Sequence, residues 1–350
     1  MKVGLLTSGG DCQGLNACIR GVAKTLYQLS PGIEIYGIEN GYFGLTTGDW
    51  HKMEPRDFSG ILTLGGTILG TSRTPQKTVL DAMGNDVERH DKMMSNYNDG
   101  GFDALIILGG DGTHRQAYQL SKSGANIVTM PKTIDNDLWG TDITFGFDSA
   151  VDKATSVIDA IHTTAASHGR VFIIELMGHH VGWITLYAGM AGGADVILIP
   201  EIPYKLDSVL DIIETRNKIG KHFSIIAIAE GAVTTEEALL SKNYIKKLPP
   251  SSMRLEIELK SRLDQDVRVA IPGHFQRGGE PTPTDRILCS RLGAKAGEMV
   301  VEGDFGKMVA VQGTSVVGVP LEEVVGKLKS VPLDCEILHQ ARLLGLSFGE

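Results

Sequence analysis

The 350-residue chain has only four cysteines, Cys12, Cys18, Cys289 and Cys335, and no Cys-x-x-Cys pair among them. That scarcity and spacing argue against a disulfide framework or a thiolate zinc site and suit a reducing compartment. No apolar run approaches the roughly 20 residues needed to cross a bilayer. The opening MKVGLLTSGG breaks its short apolar run at a glycine pair, too early for a secretory leader. Positive charge is also short: 33 Lys and Arg face 42 Asp and Glu, a formal net charge of −9. The basic footprint of a nucleic-acid binder is therefore missing. No short repeat, low-complexity tract or long charge run appears. The expectation is a cytoplasmic protein with neither nucleic acid nor membrane as partner. If it handles anionic substrates it must gather cations locally, so individual arginines become informative.

What is present is an ordinary globular balance, 42% apolar and 21% charged residues. The length exceeds one average core and implies two lobes or one large α/β unit. Short β-branched runs (KVGLLT, IEIYGI, DALIILG, NIVTM, RVFIIEL, DVILIP, SIIAIAE, VRVAI, MVAVQG) alternate with helix-patterned stretches such as Leu15–Leu29, Ser149–Ser167 and Asp285–Val301. The runs lack polar alternation, as strands buried on both faces do. The reading is an α/β fold, doubly wound, with mainly parallel sheets flanked by helices. The 43 glycines gather where strands end, in SGGD, LGGT, LGGDGT, MAGG and HFQRGG, and open α/β sheets bind ligands at those ends.

Four loops could carry chemistry. LGGDGT (Leu108–Thr113) follows a strand and precedes a helix, so Gly110, Gly112 and Thr113 suit a phosphate approached by backbone N–H groups. Asp111 inside it opposes an anion unless Mg²⁺ intervenes, a hard cation that takes oxygen ligands. TSGGDCQGLN (Thr7–Asn16) has G-x-x-x-x-G spacing but lacks the following Lys and Ser/Thr, so it fails as a P-loop; Gly10 is its best candidate for phosphate contact. PKTIDND (Pro131–Asp137) puts Asp135 and Asp137 on one side of an extended segment, one able to take a proton and the other to orient a metal or backbone. Taken alone, each of these three also fits a plain turn with solvated side chains. HFQRGG brings His274 and Arg277 before a glycine pair, while Arg170 and Arg268 lie at or in strands; a guanidinium fork suits sugar phosphates, although a lone arginine is more often a surface cation.

Together these motifs resemble the 6-phosphofructokinase family nearly end to end: TSGGDCQGLNA, GGTILGTSR, LGGDGT, PKTIDND, GRVFIIELMG, AGGADVILIPE, AIAEG and GHFQRGG. GGDG is shared with NAD and lipid kinases, whereas PKTIDND with GHFQRGG in this order is specific. The resemblance implies two Rossmann-like lobes with the active site between them. Residues 1–146 plus about 281–330 would form the phosphoryl-donor lobe, and about 147–280 plus 331–350 the fructose 6-phosphate lobe. It implies a glycolytic kinase that phosphorylates the C1 hydroxyl of fructose 6-phosphate with Mg²⁺ and ATP. Asp135 would be the base and Asp111 the Mg²⁺-linked acid, with Gly10, Arg73 and Gly110 to Thr113 around the nucleotide phosphates. Arg73 would also stabilise the transferring group. Thr133, Asp135, Met177, Gly178, Glu230, His274 and Arg277 would bind the sugar. Arg170 and Arg268 would reach its phosphate from a neighbouring subunit of a homotetramer, or at least a homodimer.

Two positions divide on the donor. Gly112 matches the ATP enzymes, where the smallest residue leaves room for the α-phosphate. Lys132 is typical of the pyrophosphate enzymes, as is the stretch MGHHVGWITLYAGMAGGADVILIPEIP. Gly112 decides whether a nucleotide fits, so ATP is the expectation and pyrophosphate the alternative. His179 stands where the family has an arginine, and an imidazole of ordinary pKa, about 6.5, is mostly neutral at pH 7. Lys132 is then the candidate replacement cation, and a catalytically weak regulatory paralogue becomes the rival from another class. Leu64 and His162 replace effector-site arginines of allosteric members while Arg20, Lys24 and Lys221 keep or can supply charge, so a weak response to ADP or phosphoenolpyruvate is expected.

Overall fold

The computed structural model describes residues 1–72, 78–80, 86–245 and 247–350. The strands, in chain order, begin with β1 (Lys2–Thr7), β2 (Glu34–Ile38), β3 (Trp50–Met53), β4 (Thr78–Leu80), β5 (Asp86–Glu88), β6 (Ala104–Gly109) and β7 (Ile127–Pro131). They continue as β8 (Val171–Leu176), β9 (Val196–Leu198), β10 (Ser224–Ala229), β11 (Val267–Ala270), β12 (Lys307–Gln312) and β13 (Ser315–Pro320). The helices are α1 (Leu15–Leu29), α2 (Tyr42–Thr47), α3 (Arg89–Asp99), α4 (Asp111–Lys122), α5 (Phe147–His168) and α6 (Trp183–Ala191). After them come α7 (Leu206–Lys218), α8 (Lys242–Ile245), α9 (Ser251–Arg262), α10 (Pro283–Glu302), α11 (Leu321–Val324) and α12 (Glu336–Leu343). Every apolar run named above as a strand forms one, and the three helix-patterned stretches are α1, most of α5 and most of α10.

The chain divides into two compact units. The first comprises Met1–Ile134, Leu138–Asp148 and Arg277–Leu328; the second comprises Asp135–Asp137, Ser149–Gln276 and Lys329–Glu350.

In the first unit a seven-stranded sheet runs β13-β12-β7-β6-β1-β2-β3. Its centre is parallel, and its edges are closed by antiparallel β13 and β3. The runs WHKM and SVVGVP escape a search for buried strands because edge strands keep one side wet: His51 and Lys52 are exposed, and Ser315 to Gly318 are exposed or half-buried. From β1 the chain winds one way to β2 and then crosses to β6 on the other side. The order therefore reverses between β1 and β6, a switch point that opens a crevice at their carboxyl ends. The loops 8–14, 110–113 and 132–134 all leave that edge, because β1, β6 and β7 are adjacent and parallel. One core cluster joins Leu6, Leu105, Ile107 and Ile127 to Met93, Ala117 and Leu120, all essentially buried. At about 1.5–3 kcal/mol for each large apolar side chain fully buried, such positions hold the strand ends firmly. On the other side, α1 crosses α10 with Gly21 and Gly293 at the contact; a Cβ on Gly293 would lie 2.7 Å from Val22 N. That close approach fixes α1, and with it the loop that precedes it.

The second unit has a four-stranded parallel sheet, β11-β8-β10-β9. Its core packs Val171, Ile173, Ile226 and Ile228 against Val209 and Ile213 of α7 and Leu255 and Leu259 of α9. The buried Glu175 of β8 would be costly without donors. One of its oxygens accepts from Ser251 Oγ (3.1 Å), Ser252 N (2.8 Å) and Ser252 Oγ (2.7 Å), which ties it to the start of α9, where a carboxylate meets the positive end of the helix. The loops of interest again leave one strand end: 177–182 after β8, 230 after β10 and 271–276 after β11.

Candidate active site

In the first unit, the GGDGT segment turns from β6 into α4, with Gly110 as the extended N-cap residue. Thr113 is buried, and Gly109 can only be glycine because a Cβ there would fall 2.2 Å from the Thr113 side chain. Gly112 is the reverse case: it is exposed, and a Cβ there meets nothing within 4 Å, so the loop is open at that position. Asp111 sits in the first turn of α4, paired with Arg115 at 2.7 Å, and both side chains are substantially exposed.

Two buried side chains hold this loop from behind. Tyr42 donates its hydroxyl to Thr113 O at 2.8 Å. His114, fully buried, hydrogen-bonds Gly110 O through Nδ1 at 2.8 Å. Because a carbonyl only accepts, Nδ1 carries the proton. Burial lowers the His114 pKa from 6.5 to about 4. Neither residue was singled out from sequence, and neither stands in a motif: Tyr42 lies 71 residues from its partner.

Lys132 follows β7 and is 4% exposed. Its ammonium donates to Gly10 O at 2.5 Å, and a Cβ on Gly9 would lie 3.4 Å from Nζ. A lysine from the third loop is thus inserted behind the first, with its charge beside the backbone of Gly9 and Gly10. Thr133 is buried, and its carbonyl accepts from Thr144 Oγ1 at 2.7 Å. Arg277 also belongs to this unit: Nη1 donates to Asp11 O at 3.0 Å, while its buried Nε has no acceptor among the described residues. Gln13, fully buried, donates to Gly278 O at 2.8 Å and joins the same two segments. Gly10, Gly110, Asp111, Gly112, Thr113 and Lys132 therefore surround the switch point, with Arg277 tied to the loop containing Gly10. Arg73 lies outside the described residues. Near them, burial pushes the Cys12 thiol far above its ordinary pKa, so it stays protonated.

In the second unit, Met177, Gly178, His179, Glu230 and His274 leave the carboxyl ends of β8, β10 and β11. A Glu230 oxygen accepts from Gly178 N at 3.2 Å and His179 N at 2.7 Å. His179 has φ +54, the left-handed region that side chains seldom adopt, so the carboxylate holds an unfavourable turn. The exposed rings of His179 and His180 lie 3.7 Å apart by centroid. Gln276, which sequence reasoning also missed, is fully buried; it accepts from Met177 N at 3.2 Å and donates to Gly273 O at 3.1 Å, locking the loop after β11 to the loop after β8. Asp135 stands in this unit in a three-residue turn with Asn136, at φ +53, and Asp137.

Arg170 and Arg268 do not join these loops. Arg170 immediately precedes β8 and Met177 immediately follows it, so a six-residue strand, about 20 Å, separates them. The two arginines share one acid instead: Asp266 Oδ2 lies 2.9 Å from Arg170 Nε and 3.0 Å from Arg268 Nη2.

A glycine loop opening a helix at a sheet's switch point, with an aspartate and a buried lysine beside it, defines an α/β protein of the phosphate-handling class. The chain belongs to the phosphofructokinase family: the model described as Phosphofructokinase matches residues 2–300. An ATP-dependent 6-phosphofructokinase of Spirochaeta thermophila is 49% identical, over 99% of this chain and 97% of that protein. ATP-dependent 6-phosphofructokinase 3 of Bacteroides thetaiotaomicron is 46% identical over the whole of both chains. Among solved structures, Pichia pastoris phosphofructokinase in the T-state matches with a TM-score of 0.78 at 31% identity, over 92% of this chain and 35% of that longer one.

Proposed function

We propose that this chain transfers the γ-phosphoryl group of ATP to the C1 hydroxyl of fructose 6-phosphate, giving fructose 1,6-bisphosphate in glycolysis. The observation that carries the donor assignment is the open space at Gly112 in the loop beside the switch point. The names of relatives similar to this chain over its whole length support the same donor. The first unit is then the donor lobe and the second the sugar lobe.

Phosphoryl transfer passes through a loose transition state whose charge spreads over oxygens, so cation placement and alignment supply most of the catalysis. The N–H groups at the start of α4, Gly10 and Thr113 cradle the nucleotide phosphates. Lys132 supplies a fixed charge beside them in a buried setting, where it is screened little. Arg73 is assigned to the transferring group, and Asp135 takes the proton of the attacking hydroxyl. Thr133, Met177, Gly178, His179, Glu230, His274 and Arg277 bind the sugar.

Asp111 fits Mg²⁺. A single carboxylate beside a phosphate loop is the donor set that this ion completes with substrate phosphates and water. Its present partner Arg115 is 61% exposed and makes a weak, replaceable pair. Bound there, Mg²⁺ would neutralise charge on the phosphates.

The separation of Arg170 and Arg268 from the other sugar residues supports a site completed by a second copy of the chain, as in a homodimer or homotetramer. In the effector-site positions, His162 is hydrogen-bonded to Gly192 O at 2.7 Å and Leu64 offers no charge, which supports a weak response to phosphorylated effectors. A cytoplasmic setting follows from this role. Among the described residues no helix is long and apolar enough to cross a membrane.

Steady-state rates with ATP and with pyrophosphate at equal Mg²⁺ test the donor; turnover with pyrophosphate alone would refute it. Asp135→Asn tests the base, with an expected loss of about 10²–10⁴ in kcat.

A further inference from the structure

Lys329 was not part of any motif, yet it reaches two loops of the second unit. Its backbone N–H donates to Asp137 O at 2.9 Å, and its ammonium donates to Asn136 Oδ1 at 2.8 Å. Its carbonyl accepts from Trp183 Nε1 at 3.0 Å, and Nζ lies 5.9 Å from the centroid of the Trp183 ring. Two residues on, Val331 N donates to Glu201 Oε1 at 2.9 Å, and the same oxygen accepts from Gly182 N at 3.1 Å, where α6 begins. One short segment therefore bonds both the turn that carries Asp135 and the start of the helix that follows Met177–His180.

The turn needs such support. Asn136 is 5% exposed and left-handed, with φ +53. Asparagine tolerates that region better than most residues, but its side-chain carbonyl is withdrawn from water and must be satisfied by protein. An ammonium donor makes a charge-assisted bond, roughly twice as strong as a neutral one. The position of Asp135 one residue earlier depends on that backbone.

We propose that Lys329 is a positioning residue for phosphoryl transfer, holding the Asp135–Asp137 turn in register with the start of α6. In this role it acts through Asn136 and Asp137. The proposal rests on Asp135 being the base, and misplacement by about 1 Å can cost on the order of 10²-fold in rate.

The test uses the full-length protein with Lys329→Met, which keeps the stem over Trp183 and both backbone bonds but removes the donor. We expect kcat to fall at least about tenfold, with both KM values within about twofold and the unfolding temperature little changed. Lys329→Arg, which restores a cationic donor, should recover most of that loss. Asn136→Gly keeps the left-handed turn and removes the acceptor; it should lower kcat likewise, and combined with Lys329→Met it should cost no more than the worse single variant. Asp135→Asn is run alongside. If it loses activity while Lys329→Met keeps kcat within twofold, the positioning role is wrong and the base assignment stands. If Asp135→Asn keeps kcat, the base assignment itself fails. A Lys329→Met protein that loses stability and both KM values together, with no recovery in Lys329→Arg, overturns the proposal in favour of a purely structural lysine.

Discussion

His114 and Gly110 are joined twice: the backbone N–H of His114 donates to Gly110 O at 3.0 Å, and its Nδ1–H donates to the same oxygen at 2.8 Å. The GGDGT turn is thereby clamped to a buried imidazole. Burial lowers its pKa from 6.5 to about 4, so the unfolded chain binds a proton in that window and the folded chain does not. Its contribution to stability is full above about pH 6.5 and is lost as pH falls toward 4, by up to about 1.4 kcal/mol per pH unit. In urea titrations at pH 7, 6 and 5, His114→Gln should show a shallower fall in stability than the wild type. Parallel curves would contradict the assignment.

Gly112→Asp should fold, because a Cβ there meets nothing within 4 Å and the backbone is not left-handed. It adds a carboxylate where the proposed function puts the nucleotide phosphates. The KM for ATP should rise at least about tenfold while that for fructose 6-phosphate stays within about twofold, since one uncompensated like charge near a phosphate costs more than 1 kcal/mol. Unchanged ATP kinetics would remove Gly112 from the donor site.

Lys132 contributes its charge beside Gly9 and Gly10, in the first unit. Lys132→Met fills the same space without charge, and Lys132→Gly removes both. Each should lower kcat by about tenfold or more and leave the KM of the sugar within about twofold. Equal effects on kcat and sugar KM would shift Lys132 from phosphoryl stabilisation to general binding.

Arg268 and Asp135 would act from different subunits if the sugar site is shared. Arg268→Ala and Asp135→Asn homomers should each be nearly inactive. Subunits mixed by reversible dissociation should then regain a measurable fraction of wild-type turnover, because some hybrid sites lack neither residue. A mixture no more active than its parents would argue that each site is built within one chain.

The fold was legible where burial is two-sided. Strands such as DALIILG and SIIAIAE carry no polar alternation, and every residue from Ala104 to Gly109 and from Ser224 to Ala229 is buried. The antiparallel edges β3 and β13 were illegible for the converse reason, since their exposed faces break the apolar pattern. The glycine loops could be read because close approach leaves only glycine, as at Gly109. The residues that hold those loops could not. Tyr42 and Lys329 have ordinary neighbours in sequence, Gln276 and His114 sit in or beside a motif without a role of their own in it, and all but His114 reach partners many residues away. Lys132 lay between: visible as an unexplained cation, while its burial against Gly10 depends on β7 and β1 flanking β6 on either side.

The outer edge of the four-stranded sheet has a consequence for biosynthesis. β9 pairs on one side with β10, and on the other Val196 bridges Ser347, with Ile197 N donating to Ser347 O at 2.8 Å and Ser347 N to Asp195 O at 3.2 Å. Until Ser347 has been translated, that edge offers unpaired backbone groups to any other nascent chain. At about 5–20 residues per second, the roughly 150 residues between the two partners leave the edge open for about 8–30 seconds. Slowed translation or loss of that segment should therefore appear first as aggregated protein, before any defect in the enzyme that does fold.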